Sequence, residues 1–181
     1  MIVLFDLIEN MEVKEVLMIS LKVVNVKKFM TNILVDNVFD NFCVSQVNID
    51  TFAKFSIDGR LNLKWFSEEE KENIFEDYSK WSEMKRYAYE IIKGNKVPTS
   101  FKIVLLLSRE NTKNMLMKYN YQISEKDVEG FFINIMFENN EIHIITGIAY
   151  RTFIMDKSLD HEWDNNIKLF MKKNNIEIEE V

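Results

Sequence analysis

The stretch "FKIVLLLSRENTKNMLMKY", residues 101–119, passes from a β-branched apolar run straight into a helical pattern. "FKIVLLLS" reads as a strand, and Ser108 is placed to cap the helix that follows. Thr112, Met115, Leu116 and Tyr119 fall on one side of that helix, ending at Asn120, while Arg109, Lys113 and Lys118 fall elsewhere. A helix with a narrow apolar stripe needs a sheet to cover it. The strand partners lie downstream: "FFINIMFE" and "EIHIITG" flank Asn139-Asn140, a two-residue hairpin signal. "AYRTFIM" reads as a further strand.

The same order occurs upstream. "ISLKVV" has strand character, Asn25 caps a helix, and Val26, Phe29, Met30, Ile33 and Leu34 follow at i, i+3, i+4, i+7, i+8 spacing. "FCVSQVNI" and "TFAKFSIDG" then alternate apolar with polar positions, with Asp58-Gly59 as a turn signal. Two β-α-β-β(-β) units placed side by side would form a continuous antiparallel sheet with both helices on one face. The fold class expected is therefore α+β, with a helical insertion at 66–94 and a C-terminal helix.

The insertion is marked by Ser67 and Glu70, a capping box in "SEEEKENIF", and by helical spacing through Ile74, Trp81, Met84, Ala88 and Ile91 to a stop at Gly94. It reads as one broken helix or two short ones. "KGNKVP" after it reads as a solvated connection rather than a phosphate loop, because no glycine-rich helix start accompanies it. The last helix spans about Leu159 to Lys173, and residues 176–181 read as a loose acidic tail. A single domain over 18–175 is expected.

Residues 1–17 read as an N-terminal extension. "KEVLM" is encodable with a ribosome-binding sequence ahead of Met18, which makes Met18 an alternative start. Four Gly and one Pro among 181 residues, with many Lys, Asn and Ile, fit AT-rich codons and a bacterial source. At 47% hydrophobic and 13% aromatic content the chain is long enough to bury a core and is not disordered. One cysteine, Cys43, excludes an intramolecular disulfide and reads as a small buried residue. No apolar run reaches a membrane span and no secretory leader is visible, so a cytoplasmic protein is expected.

Two resemblances add to this. "FKIVLLLSRENT" with "DKSLDHEWD" is similar to an uncharacterised domain family of clostridial proteins, from about Met18 onward, for which no activity is implied. The strand-helix-strand-strand order from about Ile19 to Met155 resembles one domain of a DNA sliding clamp. That resemblance implies paired helices facing DNA with basic side chains. The helical segment at 67–93 and the terminal helix stand outside the clamp pattern.

The candidate nucleic-acid contacts are Lys27 and Lys28 on the first helix and Arg109, Lys113 and Lys118 on the second. With only Glu110 opposing, the two helices carry plus four, and the remainder carries minus ten within a net charge of −6. Segregated charge of this kind permits salt-dependent phosphate contact; the competing reading is an ordinary solvated face. No aromatic residue interleaves these cations as in a single-strand stacking platform.

An enzymatic alternative rests on "DKSLDHEWD", where Asp160, His161 and Asp164 crowd a helix start and could ligate a metal in a hydrolase. No second His or Cys completes a ligand signature, and acidic residues in a first turn also answer the helix dipole. His143 alternates as a sheet residue. Trp65, Trp81 and Trp163 read as anchors between helices and sheet, whereas an exposed Trp65-Phe66 pair would mark a partner-binding patch. The function expected is that of a non-enzymatic binding or scaffold protein with no cofactor. Its partner would be nucleic acid through the basic helices or a protein through the insertion, with oligomerisation open.

Overall fold

The computed structural model describes residues 19–119 and 123–181. The extension 1–17, the alternative start Met18 and the helix stop at Asn120 lie outside the described residues. Among the described residues seven strands form one sheet: β1 (Ser20–Val23), β2 (Cys43–Asp50), β3 (Lys54–Asp58), β4 (Ser100–Leu106), β5 (Val128–Glu138), β6 (Glu141–Tyr150) and β7 (Ile178–Glu180). Their order is β3-β2-β4-β5-β6-β1-β7, and every pairing is antiparallel. Among the described residues five helices complete the α+β fold: α1 (Val26–Leu34), α2 (Glu68–Lys71), α3 (Trp81–Ile92), α4 (Arg109–Tyr119) and α5 (Ser158–Lys173).

The two-residue period of the strands decides which face is buried. Phe101, Ile103 and Leu105 of β4 oppose Phe137, Ile135 and Ile133 of β5, and all six are buried. Ile142 and Ile144 of β6, Leu21 of β1 and Val47 and Ile49 of β2 extend the same face. Phe101 and Phe137 stack across the ladder with ring centroids 5.0 Å apart. Lys102, Met136 and His143 point to the other face, where they are half-buried.

Helices seal the apolar face. Phe29, Ile33 and Leu34 of α1, Trp81 and Ala88 of α3, and Leu159, Trp163, Ile167 and Met171 of α5 join the sheet residues in one core cluster. The Ile33 carbonyl lies in the last turn of α1, where no intrahelical donor reaches it. The buried indole N–H of Trp81 donates to it at 2.7 Å, which ties α3 to α1.

The local signals hold where they were strongest. Asn25 accepts from the Lys28 amide, Ser67 and Glu70 form the capping box, and Ser108 accepts from the Asn111 amide. Asn139 and Asn140 both adopt positive φ, 53° and 63°, as a tight hairpin of this hand requires. The insertion resolves into two helices, α2 and α3, rather than one.

The units recur along the chain but interleave in space. β4, β5 and β6 sit between β1 and β2, so α1 crosses the sheet instead of returning to a neighbouring strand. β1 and β4 run in opposite directions, and α1 and α4 therefore start at opposite ends of the sheet. Two further expectations are corrected. "AYRTFIM" does not form a third strand: β6 ends at Tyr150, both of its edges are already taken by β5 and β1, and Phe153 and Met155 are exposed. The acidic tail is not loose. Asn175 takes a left-handed φ of 54° that ends α5, Ile176 is buried, and Ile178–Glu180 pairs with β1 as β7. "IEIEEV" is an edge-strand pattern, with glutamates guarding an otherwise open side, and Glu179 opposes Lys22 across the ladder.

Candidate functional site

Between β3 and α3 the chain leaves the sheet and returns. Gly59 opens this excursion because a Cβ there would lie 1.8 Å from the Val44 carbonyl oxygen, so only glycine lets the two backbones approach. The Leu61 amide donates to Asp77 at 2.9 Å, the Ser79 amide to Gly59 at 2.8 Å, and the Val44 amide to Ser79 at 2.9 Å. The Arg60 guanidinium lies over the Tyr78 ring and donates to its hydroxyl at 2.8 Å. This paired stem carries residues 62–76 outward.

No residue from 60 to 80 is buried. Leu63 and Trp65 sit on a short 3-10 turn capped by Asn62, α2 follows, and Phe75 lies beyond it. Trp65 is 77% exposed and Phe75 70%. Phe66 meets the Trp65 indole edge to face at 5.0 Å, which restricts the indole without covering it. Trp81 and Trp163 are the core anchors expected of them; Trp65 is instead displayed. Five glutamates and two lysines give residues 62–76 a net charge of −3.

At the foot of the stem lies a second feature, a cleft of about 590 Å³. One wall is the stem at Glu76 to Tyr78, the floor is the start of α4, and the far wall comes from residues 125–129 and Arg151. The Glu76 carboxylate accepts from the Arg109 amide at 3.0 and 3.1 Å, meeting the exposed donor and positive end of α4. Cys43 is buried beside it and its thiol donates to Glu76 at 3.7 Å. Burial, and then the Glu76 charge, push the Cys43 thiol up to about 12, so it stays a thiol and not a nucleophile at neutral pH.

Of the five predicted nucleic-acid contacts, the cleft brings together Arg109 and Lys113. Arg109 pairs with Asp77 at 3.4 Å and Lys113 with Glu125 at 3.6 Å. Lys118 lies over the Tyr119 ring. Lys27 and Lys28 belong to the first turn of α1, at the other end of the sheet, where Lys28 donates to the Asn175 carbonyl at 2.7 Å. The cations therefore do not form one paired-helix face.

The model of a family of unknown function (DUF5721) matches residues 32–179. The chain belongs to this family. No curated protein and no solved structure matches it. The matched span of this DUF5721 chain contains the excursion, the cleft and both walls, and starts within α1.

The acidic candidates sit apart from both features. Asp160 and Asp164 are one turn apart on α5 and both are buried toward β6. Tyr150 donates to Asp160 at 2.9 Å and Thr146 to Asp164 at 2.5 Å. Burial holds the Asp164 carboxyl above the usual carboxylate range, and the nearby Asp160 adds to this while the Thr146 hydrogen bond opposes it. His161 turns outward into solvent. Among the described residues no three His, Cys, Asp or Glu side chains converge as a metal would require. His143 is a half-buried sheet residue beside Glu141, at 3.4 Å.

Sequence reasoning missed Leu63, Phe75, Glu76, Lys126 and Arg151. For Leu63 and Phe75 a signal was present: Leu63 precedes the capping box and Phe75 lies off the stripe of Ile74, Trp81 and Met84, so neither belongs to the face a helix would bury. The two cations carry no linear signal, because Lys126 and Arg151 reach the cleft from separate turns.

Proposed function

We propose that this chain is a non-enzymatic binding protein of the bacterial cytoplasm that docks a protein partner through residues 62–76. The observation that carries this reading is the 77% exposure of Trp65 in the excursion that the paired stem supports. An indole displayed in this way leaves apolar surface in water unless something covers it, and tryptophan is prominent among residues that dominate interfaces. The glutamates of α2 stand beside it, so the fitting partner offers an apolar pocket with a basic rim. No helix of the described residues is long and apolar enough to cross a membrane.

The nucleic-acid reading has less behind it. Lys27 and Lys28 lie at the other end of the sheet from Arg109 and Lys113, so no continuous basic face spans the two helices. The hydrolase reading has less still, because Asp160 and Asp164 are committed to Tyr150 and Thr146.

A photoreactive phenylalanine analogue at position 65 in native cells should give one dominant protein adduct. The purified partner should bind the wild type, and Trp65→Ala should weaken it about thirtyfold, the scale of an interface hot spot. Lys27→Glu/Lys28→Glu should leave that affinity unchanged. A partner that binds Trp65→Ala as tightly as wild type would remove the reading. Salt-dependent duplex DNA binding lost in Lys28→Glu/Lys113→Glu would replace it with the nucleic-acid one.

A further inference from the structure

We infer that the cleft at the foot of the stem binds a small polyanion, a molecule with the charge of a pyrophosphate or a tricarboxylate. Its volume, about 590 Å³, lies within the usual range for small-molecule sites. Four cations converge on it from three separate segments: Arg109 and Lys113 from α4, Lys126 from the turn before β5, and Arg151 from the end of β6.

Four acids, Glu76, Asp77, Glu125 and Glu129, line the same cleft, and three of them are already engaged within it. Glu76 is held on the Arg109 amide, so its charge is directed at the start of α4 and away from the cationic side chains. Asp77 and Glu125 face Arg109 and Lys113 at 3.4 and 3.6 Å. Tight charge-assisted contacts close to about 2.7–2.9 Å. Lys85 and Asp40 reach 2.6 Å in this same protein. Both cleft pairs are solvent-exposed, where an ion pair contributes little, so a multiply charged anion can exchange for them. Lys126 and Arg151 have no side-chain hydrogen bond or ion pair among the described residues, and only Glu129 opposes them in the lining.

A ligand with two or more negative groups would draw Arg109 and Lys113 from their present partners and engage Lys126 and Arg151 directly. The hydroxyl of Thr112 adds a neutral polar contact on the floor of the cleft. With Cys43 held as a thiol, the cleft has binding groups and no activated nucleophile. This inference does not depend on partner docking at Trp65.

Isothermal titration calorimetry with inorganic pyrophosphate, and separately with citrate, tests it at low ionic strength. Saturable one-to-one binding of either is expected, weaker at about 150 mM salt, where surface charges are screened. Arg151→Ala and Lys126→Ala should each weaken it about tenfold, the loss expected for one charge-assisted contact. Asp77→Asn should strengthen it by releasing Arg109, a gain that general loss of structure would not produce. Lys27→Ala/Lys28→Ala should bind as wild type does, and so should Trp65→Ala. Absence of saturable binding for both probes overturns the inference. So does an equal loss in the Lys27→Ala/Lys28→Ala variant, which would mean an adventitious ion only.

Discussion

Replacing Trp65 by alanine should cost the fold little, in contrast with the same change at Trp81. A tryptophan side chain offers roughly 250 Å² for burial, so at 77% exposure only about 60 Å² of Trp65 is covered. At about 25 cal/mol per Å² this is about 1.5 kcal/mol. The figure is an upper bound, because the unfolded chain also hides some of its indole. The loss should therefore be about 1 kcal/mol, a fall of about 2–4 °C in Tm for a domain of this size. Trp81 has 0% exposure and donates to the Ile33 carbonyl. Its truncation should cost about 3–5 kcal/mol in packing, and the stranded carbonyl adds about 1–3 kcal/mol. Urea unfolding followed by far-UV circular dichroism measures both variants in one assay. Equal losses at positions 65 and 81 would refute the reasoning, since residues 62–76 would then be part of the core and their exposed indole no free surface.

Three other outcomes follow from the geometry. Asp164→Asn should raise stability near pH 7 and leave it unchanged below the ordinary carboxylate range. The folded-state pKa of Asp164 is raised above its unfolded value, so the wild type loses stability as pH rises from the unfolded pKa through the folded one, and asparagine does not; thermal melts across pH 3 to 8 check the sign. Gly59→Ala should lower the Tm by more than Trp65→Ala, because the added methyl meets the backbone oxygen of Val44 and no side chain can move aside; differential scanning calorimetry reads the difference. Cys43 should resist iodoacetamide in the native protein at pH 7.5 and react once urea unfolds it, with intact mass as the readout; labelling of the folded protein would contradict a buried thiol raised to about 12.

Much of the fold could be read from the chain because its signals are local. Phe101, Ile103 and Leu105 alternate, Asn139-Asn140 dictates its own turn, and Ser67 with Glu70 declares a helix start within four residues. What escaped depends on distant segments. Nothing in "ISLKVV" says that it pairs with both β6 and β7, and the choice rests on how three intervening strands fill the sheet. The tail was misjudged because its glutamates look solvated in isolation, yet Ile176 finds the core and Ile178 finds β1. At the candidate sites, Trp65 was legible as a residue and not as an exposed one, since exposure depends on what the rest of the chain leaves uncovered. Arg109 and Lys113 were noticed for their charge, but the cleft that gives them neighbours is built from residues as separated as Glu76 and Arg151.

The placement of β1 between β6 and β7 also bears on how the protein is made. Translation is vectorial, and β1 emerges first among the described strands, long before either strand that flanks it. Lys22 and its partner Glu141 are 119 positions apart, so β1 has no sheet to join while most of the chain is still being synthesised. The contiguous block β2 to β6 can assemble in the interval from closer pairings. Such late closure of distant contacts slows folding and leaves a bare strand exposed to neighbours on crowded polysomes.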